Sequence, residues 1–318
     1  MRCTETGSDP SRSLRPATEV RGALGANAGA AVAAVFFGAS VVAVRVAVRD
    51  VPPVSLAVLR FGIGGLLLLL VALTARRDAL RLDRKMVPRL ALLALVFYAL
   101  FPLSFNVGLQ FTEASRGALM LATMPVWSAV MARKAVGERL LPLQVGGVVL
   151  SVAGIAVAFA ERGLFARTSG LAILGDALLL LTAFWGALYG VLSKRALARS
   201  SPLTVTMYPM LIGTAYLAPV ALVEGLASAT ATLGGSTLGL VLFVAVLGGA
   251  VAFYLWTAAL SRLTPTQVAV YVNINPLVAT SLAALLLDEQ LSVLFAVGFA
   301  AVVAGVLMVN RPGARSRR

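Results

Sequence analysis

The chain has 318 residues, of which 59% are hydrophobic and 13% are charged, and its mean hydropathy is +0.93. A soluble domain is nearer half apolar, so this composition excludes one and indicates a membrane protein. The net charge of +14 comes from Lys and Arg at the ends of apolar segments, which is typical of membrane topology and excludes a nucleic-acid partner. One cysteine and no histidine exclude an intrachain disulfide and imidazole chemistry, and we expect no metal or cofactor.

Ten apolar segments follow one another along the chain, each about 20 residues long, which is enough to cross a hydrocarbon core of roughly 30 Å as a helix. We therefore predict an all-α membrane protein with ten transmembrane helices. A flexible tail over 1–26 is expected to precede them, and a basic tail over 311–318 is expected to follow them. The predicted spans are 27–48, 54–74, 88–109, 113–134, 142–160, 170–192, 202–223, 237–260, 264–287 and 291–310.

The second half of the chain repeats the first. Residues 104–159 align without a gap onto 255–310, and the matched pairs include Pro125 with Pro276, Glu138 with Glu289 and Gly147 with Gly298. This predicts two five-helix repeats, over 27–160 and 170–310. Because five is an odd number, the second repeat must cross the membrane inverted. Inverted repeats are typical of secondary transporters that work by alternating access.

Basic residues give the orientation of the predicted spans. The two tails and the loops on their side hold 21 Lys and Arg residues, whereas the opposite side holds six. The positive-inside rule then places both termini in the cytoplasm. The matched loops also agree with inversion, because 133–139 carries three basic residues and 288–289 carries two acidic ones.

Two prolines interrupt matching spans of the predicted repeats. Pro125 lies in the fourth predicted span and Pro276 in the ninth, each near mid-membrane. A proline removes a backbone donor, kinks the helix and frees a carbonyl, which hydrocarbon tolerates only beside protein or a wet cavity. The prolines therefore either shape helix packing or line a cavity, and their symmetric placement favours the cavity.

The residues around these prolines share one helix face in each repeat. Met120, Met124 and Trp127 have the spacing i, i+4 and i+7. The repeat matches the two methionines with Tyr271 and Asn275. The same face of both kinked helices is therefore predicted to carry large adaptable or polar groups.

Amides and aromatic rings complete the candidate substrate cavity. Each missing hydrogen bond of a buried amide costs about 1–3 kcal/mol, so Asn273 and Asn275 either join neighbouring helices or contact substrate. Aromatic rings suit amphipathic organic substrates, and packing or the lipid interface explains each ring equally well. The candidate cavity residues are Phe37, Ser40, Tyr98, Asn106, Met120, Met124, Pro125, Trp127, Trp185, Tyr189, Tyr254, Trp256, Tyr271, Asn273, Asn275 and Pro276.

Ionisable residues also lie within predicted spans, where a charge costs about 2.5–3.5 kcal/mol on insertion scales. Asp176 lies near the outer end of the sixth span and is the carboxylate that we assign to proton coupling, if transport uses protons. Arg45 and Arg60 lie in the first two spans, where snorkelling to the membrane surface is the alternative to a functional role.

Short motifs along most of the chain resemble one known family. They are Phe36-Phe37-Gly38-Ala39-Ser40, Leu59-Arg60-Phe61, Met124-Pro125-Val126-Trp127, Gly137-Glu138-Arg139-Leu140, Gly175-Asp176, Ala183-Phe184-Trp185-Gly186-Ala187-Leu188-Tyr189, Asn275-Pro276-Leu277 and Asp288-Glu289-Gln290-Leu291. With these motifs, residues 27–310 resemble the EamA-like transporters, ten-helix exporters of the drug/metabolite transporter superfamily. Asp288 stands where the family usually has glycine.

The resemblance implies a multi-pass transporter of the plasma (inner) membrane that exports amino acids or related small metabolites through a central cavity. The implied partners are the small-molecule substrate, membrane lipid and, where coupling applies, protons. Glu138 and Glu289 match the family pattern at helix–loop junctions, where capping or pairing is expected of them.

Other classes of membrane protein have less support in the sequence. The chain contains no G-x-x-x-x-G-K-[ST] nucleotide motif, no G-x-S-x-G motif and no pair of intramembrane aspartates. We therefore predict that the protein is not an enzyme. A membrane-embedded enzyme or sensor without transport activity is the alternative.

Overall fold

The computed structural model describes residues 11–112, 114–160, 170–287 and 292–311, and the regular elements in those ranges are all helical, as predicted. The helices are α1 (Ser11–Ala47), α2 (Pro53–Ala75), α3 (Val87–Ala94), α4 (Phe101–Phe111), α5 (Ala114–Ala122), α6 (Met124–Ala135), α7 (Pro142–Ala158), α8 (Gly170–Leu197), α9 (Pro202–Glu224), α10 (Leu226–Ala231), α11 (Gly235–Ala245), α12 (Ala252–Arg262), α13 (Pro265–Ala269), α14 (Ile274–Leu287) and α15 (Val293–Val309).

Several of these helices are long and apolar enough to cross a membrane. In the described part of the chain, six stretches meet that criterion by length and composition, namely Gly22–Ala47, Pro53–Ala75, Arg84–Phe111, Gly170–Leu197, Pro202–Glu224 and Gly235–Arg262. The apolar helices α7 and α15 are shorter. The first helix begins at Ser11, ahead of the first predicted span, and continues to Ala47.

The two proline-containing stretches are broken where the sequence predicts. Thr123 separates α5 from α6, immediately before Met124 and Pro125. In the second half, the 3₁₀ turn Val270–Asn273 separates α13 from α14, in which Pro276 is the third residue. Both helices are therefore interrupted close to the prolines, because a proline cannot donate to the helical ladder.

A second distortion occurs at matching positions of the two halves. The π-helical turn Leu95–Leu100 joins α3 to α4, and the π-helical turn Val246–Val251 joins α11 to α12. The two turns are offset by the same 151 positions as Pro125 and Pro276. Single π-turns inside α-helices are rare and often mark functional sites.

The two halves interlock through their long helices. Helix α1 packs against α12 and α14 of the second half, and α8 packs against α4, α5 and α6 of the first half. Helix α2 packs against α9, and α7 packs against α15. The interior of the protein is consequently built from contacts between the halves.

Glycines bring α7 and α15 close together in antiparallel orientation. An added Cβ at Gly147 would lie 2.7 Å from the carbonyl oxygen of Gly305, and one at Gly154 would lie 2.8 Å from that of Gly298. Residue numbers rise along α7 while they fall along α15. Small residues of this kind permit the close backbone approach on which helix association in membranes depends.

Candidate substrate site

Aromatic side chains from both halves meet around the two π-turns. Phe37 lies 4.8 Å from Phe253, and Phe97 lies 4.3 Å from Tyr189, measured between ring centroids. Seven of the rings connected in this way form what we call the central aromatic cluster, namely Phe37, Phe61, Phe97, Tyr98, Tyr189, Phe253 and Trp256. The cluster unites four of the predicted cavity residues, since Phe37, Tyr98, Tyr189 and Trp256 all belong to it.

Hydroxyl groups gather at this cluster without hydrogen bonds of normal geometry among the described residues. The phenolic oxygen of Tyr189 lies near the hydroxyls of Tyr98, Ser193 and Thr257, and all four groups are buried without a well-aligned partner. A buried polar group without a partner costs about 1–3 kcal/mol. Such groups are explained by a water or a ligand that satisfies them.

Arg60 places a positive charge beside these rings. Its Nη2 donates a 2.8 Å hydrogen bond to the carbonyl oxygen of Gly248, in the π-turn Val246–Val251. The guanidinium carbon lies 5.5 Å from the ring centroid of Phe61 and 5.8 Å from that of Phe253. Each ring contributes about 0.5–2 kcal/mol of cation–π attraction. Arg60 therefore turns into the protein, and the snorkelling interpretation is wrong for this residue.

Ser40 approaches the same π-turn at Gly248. A Cβ atom at Gly248 would overlap the hydroxyl oxygen of Ser40, so glycine is required for α1 to approach this closely. The Ser40 hydroxyl is buried and has no hydrogen-bond partner in the described part of the chain. The predicted cavity residue Ser40 is thus next to the carbonyl that Arg60 binds.

The two amide side chains near Pro276 have different surroundings. The Asn273 Nδ2 donates a 3.0 Å hydrogen bond to Ser151 Oγ of α7, as expected for a residue that joins helices. The Tyr271 hydroxyl donates to Asn27 Oδ1 at 3.0 Å. The Oδ1 atoms of Asn273 and Asn275 are both buried without a partner among the described residues, but Asn275 is only half-buried and its amide is not tied to Ser151. Asn275 is the amide that retains the better capacity for a ligand.

Three further predicted cavity residues make no ring contact with the central aromatic cluster in the described part of the chain. Trp127 and Tyr254 are 37% and 40% exposed. Trp185 is half-buried and packs against the core that contains Tyr98 and Tyr189, and both Trp185 and Trp127 make ring contacts with Phe184.

The predicted cavity residues near Pro125, and Pro276 itself, are buried to different extents. Met124 and Pro125 are buried, and the Met124 sulfur lies against Gly186 of α8. Met120 and Pro276 are half-buried. Asn106 belongs to α4, but its side chain lies outside the described residues.

Asp176 lies near the start of α8, at a helix end and not at the cluster. It is half-buried, and its Oδ1 accepts a 2.8 Å hydrogen bond from the Thr112 hydroxyl. This position leaves a carboxylate within reach of one membrane surface.

Two glutamates connect the halves at helix ends. Glu224 at the end of α9 accepts hydrogen bonds from the backbone nitrogens of Val54 and Ser55, at 3.2 and 2.7 Å, and so caps the first turn of α2. Glu138 is buried and accepts a 3.4 Å bond from the Thr266 backbone nitrogen at the start of α13. Its expected capping role is therefore seen in the structure, whereas Asp288 and Glu289 lie outside the described residues.

The environment of Glu138 changes its acidity. Burial raises the pKa of its carboxyl group, and polar contacts with Thr264 and Thr266, together with the charge of Lys194, oppose that rise. Lys194 itself binds the carbonyl oxygens of Leu260 and Leu263 at 2.7 and 2.9 Å. The interactions of Glu138 with Thr266 and Lys194 join the first half to the second at one end of the helix bundle.

The sequence interpretation missed the central role of Arg60, Phe61 and Phe253. The available signal for the first two was the Leu59-Arg60-Phe61 motif, which marks a charge and a ring inside a predicted span. Nothing comparable marks Phe253, because its neighbours are apolar as well. The π-turns that bring these groups together have no recognisable pattern in the sequence.

The chain is similar to transporters over most of its length. A probable terminal-alkyne amino-acid exporter of Streptantibioticus cattleyicolor is 31% identical to the chain, over 73% of the chain and 75% of the exporter. An uncharacterized transporter of Archaeoglobus fulgidus is 28% identical, over 88% and 95%. A solved crystal structure with 20% identity has the same fold, with a TM-score of 0.77 over 89% and 95% of the two chains. The sequence model of the EamA-like transporter family matches residues 25–160 and 173–311, and the chain belongs to that family.

Proposed function

We propose that the protein exports amino acids or related small metabolites across the plasma membrane by alternating access. The observation that carries this proposal is the central aromatic cluster, which is built from both halves and holds buried hydroxyls without well-aligned partners. Rings would contact the apolar part of a solute, and the hydroxyls would replace part of its hydration. The relative named as a probable terminal-alkyne amino-acid exporter supports this substrate class.

The proposed architecture is ten spans in two inverted repeats, over 27–160 and 170–310, with short tails over 1–26 and 311–318. The contacts between α7 and α15 support it. Under the offset of 151 positions, the pair Gly147–Gly305 becomes the pair Gly154–Gly298 with its partners exchanged. Equivalent helices that cross antiparallel through exchanged contacts indicate a two-fold axis in the membrane plane. The matching π-turns and the two family matches also favour a duplication.

In this mechanism the two halves rock about the shared cluster. We assign the contact of Glu138 with the start of α13 to the cytoplasmic end, where it holds the halves together while the opposite end opens. The positive-inside distribution places both termini on that side. The predicted counterpart of Glu138 at the other surface is Glu289.

Transport by purified protein in liposomes tests the proposed function. We expect time-dependent movement of a ¹⁴C-labelled mixture of the protein amino acids, or of L-propargylglycine, into vesicles preloaded with the unlabelled compounds. Asn275→Leu should lower this flux without loss of inserted protein, whereas Asn310→Leu, the same change at the C-terminal end of α15, is the matched control and should not. Absence of counterflow by the wild-type protein with every compound would refute the proposed function.

Proton coupling through Asp176 is a separate part of the proposal. Wild-type flux is expected to increase when a pH gradient is imposed, and Asp176→Asn should remove that dependence while counterflow persists. If wild-type flux ignores the gradient, Asp176 has no coupling role.

The inverted arrangement is tested by the accessibility of single cysteines. Variants that lack Cys3 and carry one cysteine, at Val136 or at Leu287, should react with a membrane-impermeant maleimide from opposite sides of the membrane. Labelling of both positions from the same side would exclude inversion, whatever the outcome of the flux measurements.

A further inference from the structure

We propose that Arg60 binds the carboxylate of the transported solute, so that the substrate class is a small molecule with a free carboxylate group. This inference rests on the proposed function and adds the chemical group that the site recognises. It is carried by the position of the guanidinium, its unused donors and the absence of a compensating acid in the described part of the chain.

The charge of Arg60 lies deep between helices of the two halves. Its hydrogen-bond acceptor, Gly248, is near the middle of the helical stretch Gly235–Arg262. A carbonyl oxygen and two aromatic faces attract a guanidinium, but they do not neutralise it. Among the described residues Arg60 forms no ion pair, because the nearby polar groups are the Ser40 and Tyr98 hydroxyls. A buried cation without a counter-ion is unfavourable and favours the entry of an anion.

The described acids lie elsewhere, at the ends of helices. Asp50 accepts a hydrogen bond from Thr237, Asp176 accepts one from Thr112, Glu138 is bound at the start of α13 and Glu224 caps α2. Asp78 and Asp83 lie in the turns between α2 and α3. None of these six carboxylates belongs to the central aromatic cluster. The counter-charge for Arg60 would therefore be supplied by the solute.

The guanidinium has donors to offer to such a solute. An arginine carries five N–H donors in a planar fork, and the described contacts use one of them, on Nη2. The Nε atom is buried without a hydrogen-bond partner in the described residues. Contacts with Phe61 and Phe253 hold the plane in place, so that the remaining fork is ordered before a ligand arrives. A carboxylate matches this fork with two parallel hydrogen bonds.

The surroundings favour a carboxylate over a phosphate. Phosphate groups carry more charge and are usually met by several cations or by helix N-termini. Lys194, the lysine of α8, is bound to carbonyl oxygens at the end of α12. Arg60 is thus the cation that the described part of the cluster provides, and the neighbouring rings suit the apolar side chain of an amino acid.

Competition in proteoliposomes tests the inference. The labelled amino-acid mixture is the probe, and the competitors are the same unlabelled amino acids or their α-carboxamides, which lack the charge. For the wild type we expect the free acids to compete and the amides to fail. Arg60→Met should raise KM for the acids about tenfold to a hundredfold, as for the loss of a charged hydrogen-bonded pair. Arg60→Lys, which keeps the charge but loses the fork, should have an intermediate KM.

A role confined to holding the π-turn predicts a different result. In that case Arg60→Met would lower stability and flux for every solute, but the preference for acids over amides would be unchanged in the protein that remains. Such an unchanged preference, or equal competition by amides in the wild type, overturns the inference while the proposed function stands. If Arg60→Met fails to fold, the same test is made with Arg60→Lys, whose preference for acids over amides then decides between the two roles.

Failure of the proposed function has a separate signature. It would appear as no movement of any labelled acid by the wild type. Binding is then measured from the melting temperature of the protein in detergent. Free acids should raise the melting temperature of the wild type, whereas amides should not. Neither should raise that of the Arg60 variants. Equal stabilisation of wild type and variants would overturn the inference.

Discussion

A single added methyl group at Gly147 should force α7 away from α15. An alanine Cβ at this position would lie 2.7 Å from the carbonyl oxygen of Gly305 and 2.9 Å from side-chain atoms of Met308 and Val309. Real Cβ atoms essentially never approach within 3.0 Å, so the backbones must separate by at least about 0.3 Å. The neighbouring Gly146 is the matched control, because its added Cβ would meet only the Met308 methyl carbon, at 3.6 Å.

Comparing these two variants isolates the steric cost of the added methyl group in the free energy of unfolding. Both substitutions gain about 1 kcal/mol of helix propensity, since each replaces a mid-helix glycine by alanine. Overpacking adds a cost of about 1–3 kcal/mol at Gly147 alone. Gly147→Ala should therefore be less stable than Gly146→Ala by about that amount, whereas Gly146→Ala should equal or exceed the wild type.

Reversible unfolding in mixed micelles, followed by tryptophan fluorescence, measures this difference in free energy of unfolding. The same samples should be checked for monodispersity by size-exclusion chromatography. A Gly147→Ala protein as stable as Gly146→Ala would refute the close antiparallel packing of α7 on α15, and with it the contact that supports the inverted repeats.

Three further substitutions test contacts between helices. Because burial raises the pKa of Glu138, the native state binds more protons than the unfolded state, and stability should fall as pH rises from the unfolded pKa of about 4.5 to the higher folded one. Glu138→Gln should reduce the dependence of stability on pH, measured from melting curves between pH 4 and 8. An unchanged dependence would mean that other groups cause it. Glu224→Ala should destabilise the protein by about 1–2 kcal/mol, because Val54 and Ser55 lose their cap; a melting temperature equal to wild type would show that water replaces it. Asn273→Ala should cost about 1–3 kcal/mol, whereas lower flux at full stability would mean that Asn273 serves the substrate.

The family, the helical character and the membrane location follow from the sequence for simple physical reasons. Apolar segments of membrane-spanning length cannot fold as a soluble domain, and helices satisfy their own backbone hydrogen bonds in lipid. The broken helices near Pro125 and Pro276 follow from the missing proline donor. Four of the predicted cavity residues, Phe37, Tyr98, Tyr189 and Trp256, do meet in one cluster in the structure.

Only the tertiary structure decided which faces of the helices pack toward the interior of the bundle. Arg60 turns toward Gly248, whereas Trp127 and Tyr254 are more than a third exposed, and nothing in the spacing of these residues predicts that division. In a soluble helix the polar face identifies solvent, but lipid is as apolar as a protein core, so a membrane helix is hydrophobic on all sides. The sequence by itself determined that the chain is a duplicated bundle of membrane helices. The packing of the two halves, through glycine contacts and π-turns, decided where its polar groups meet.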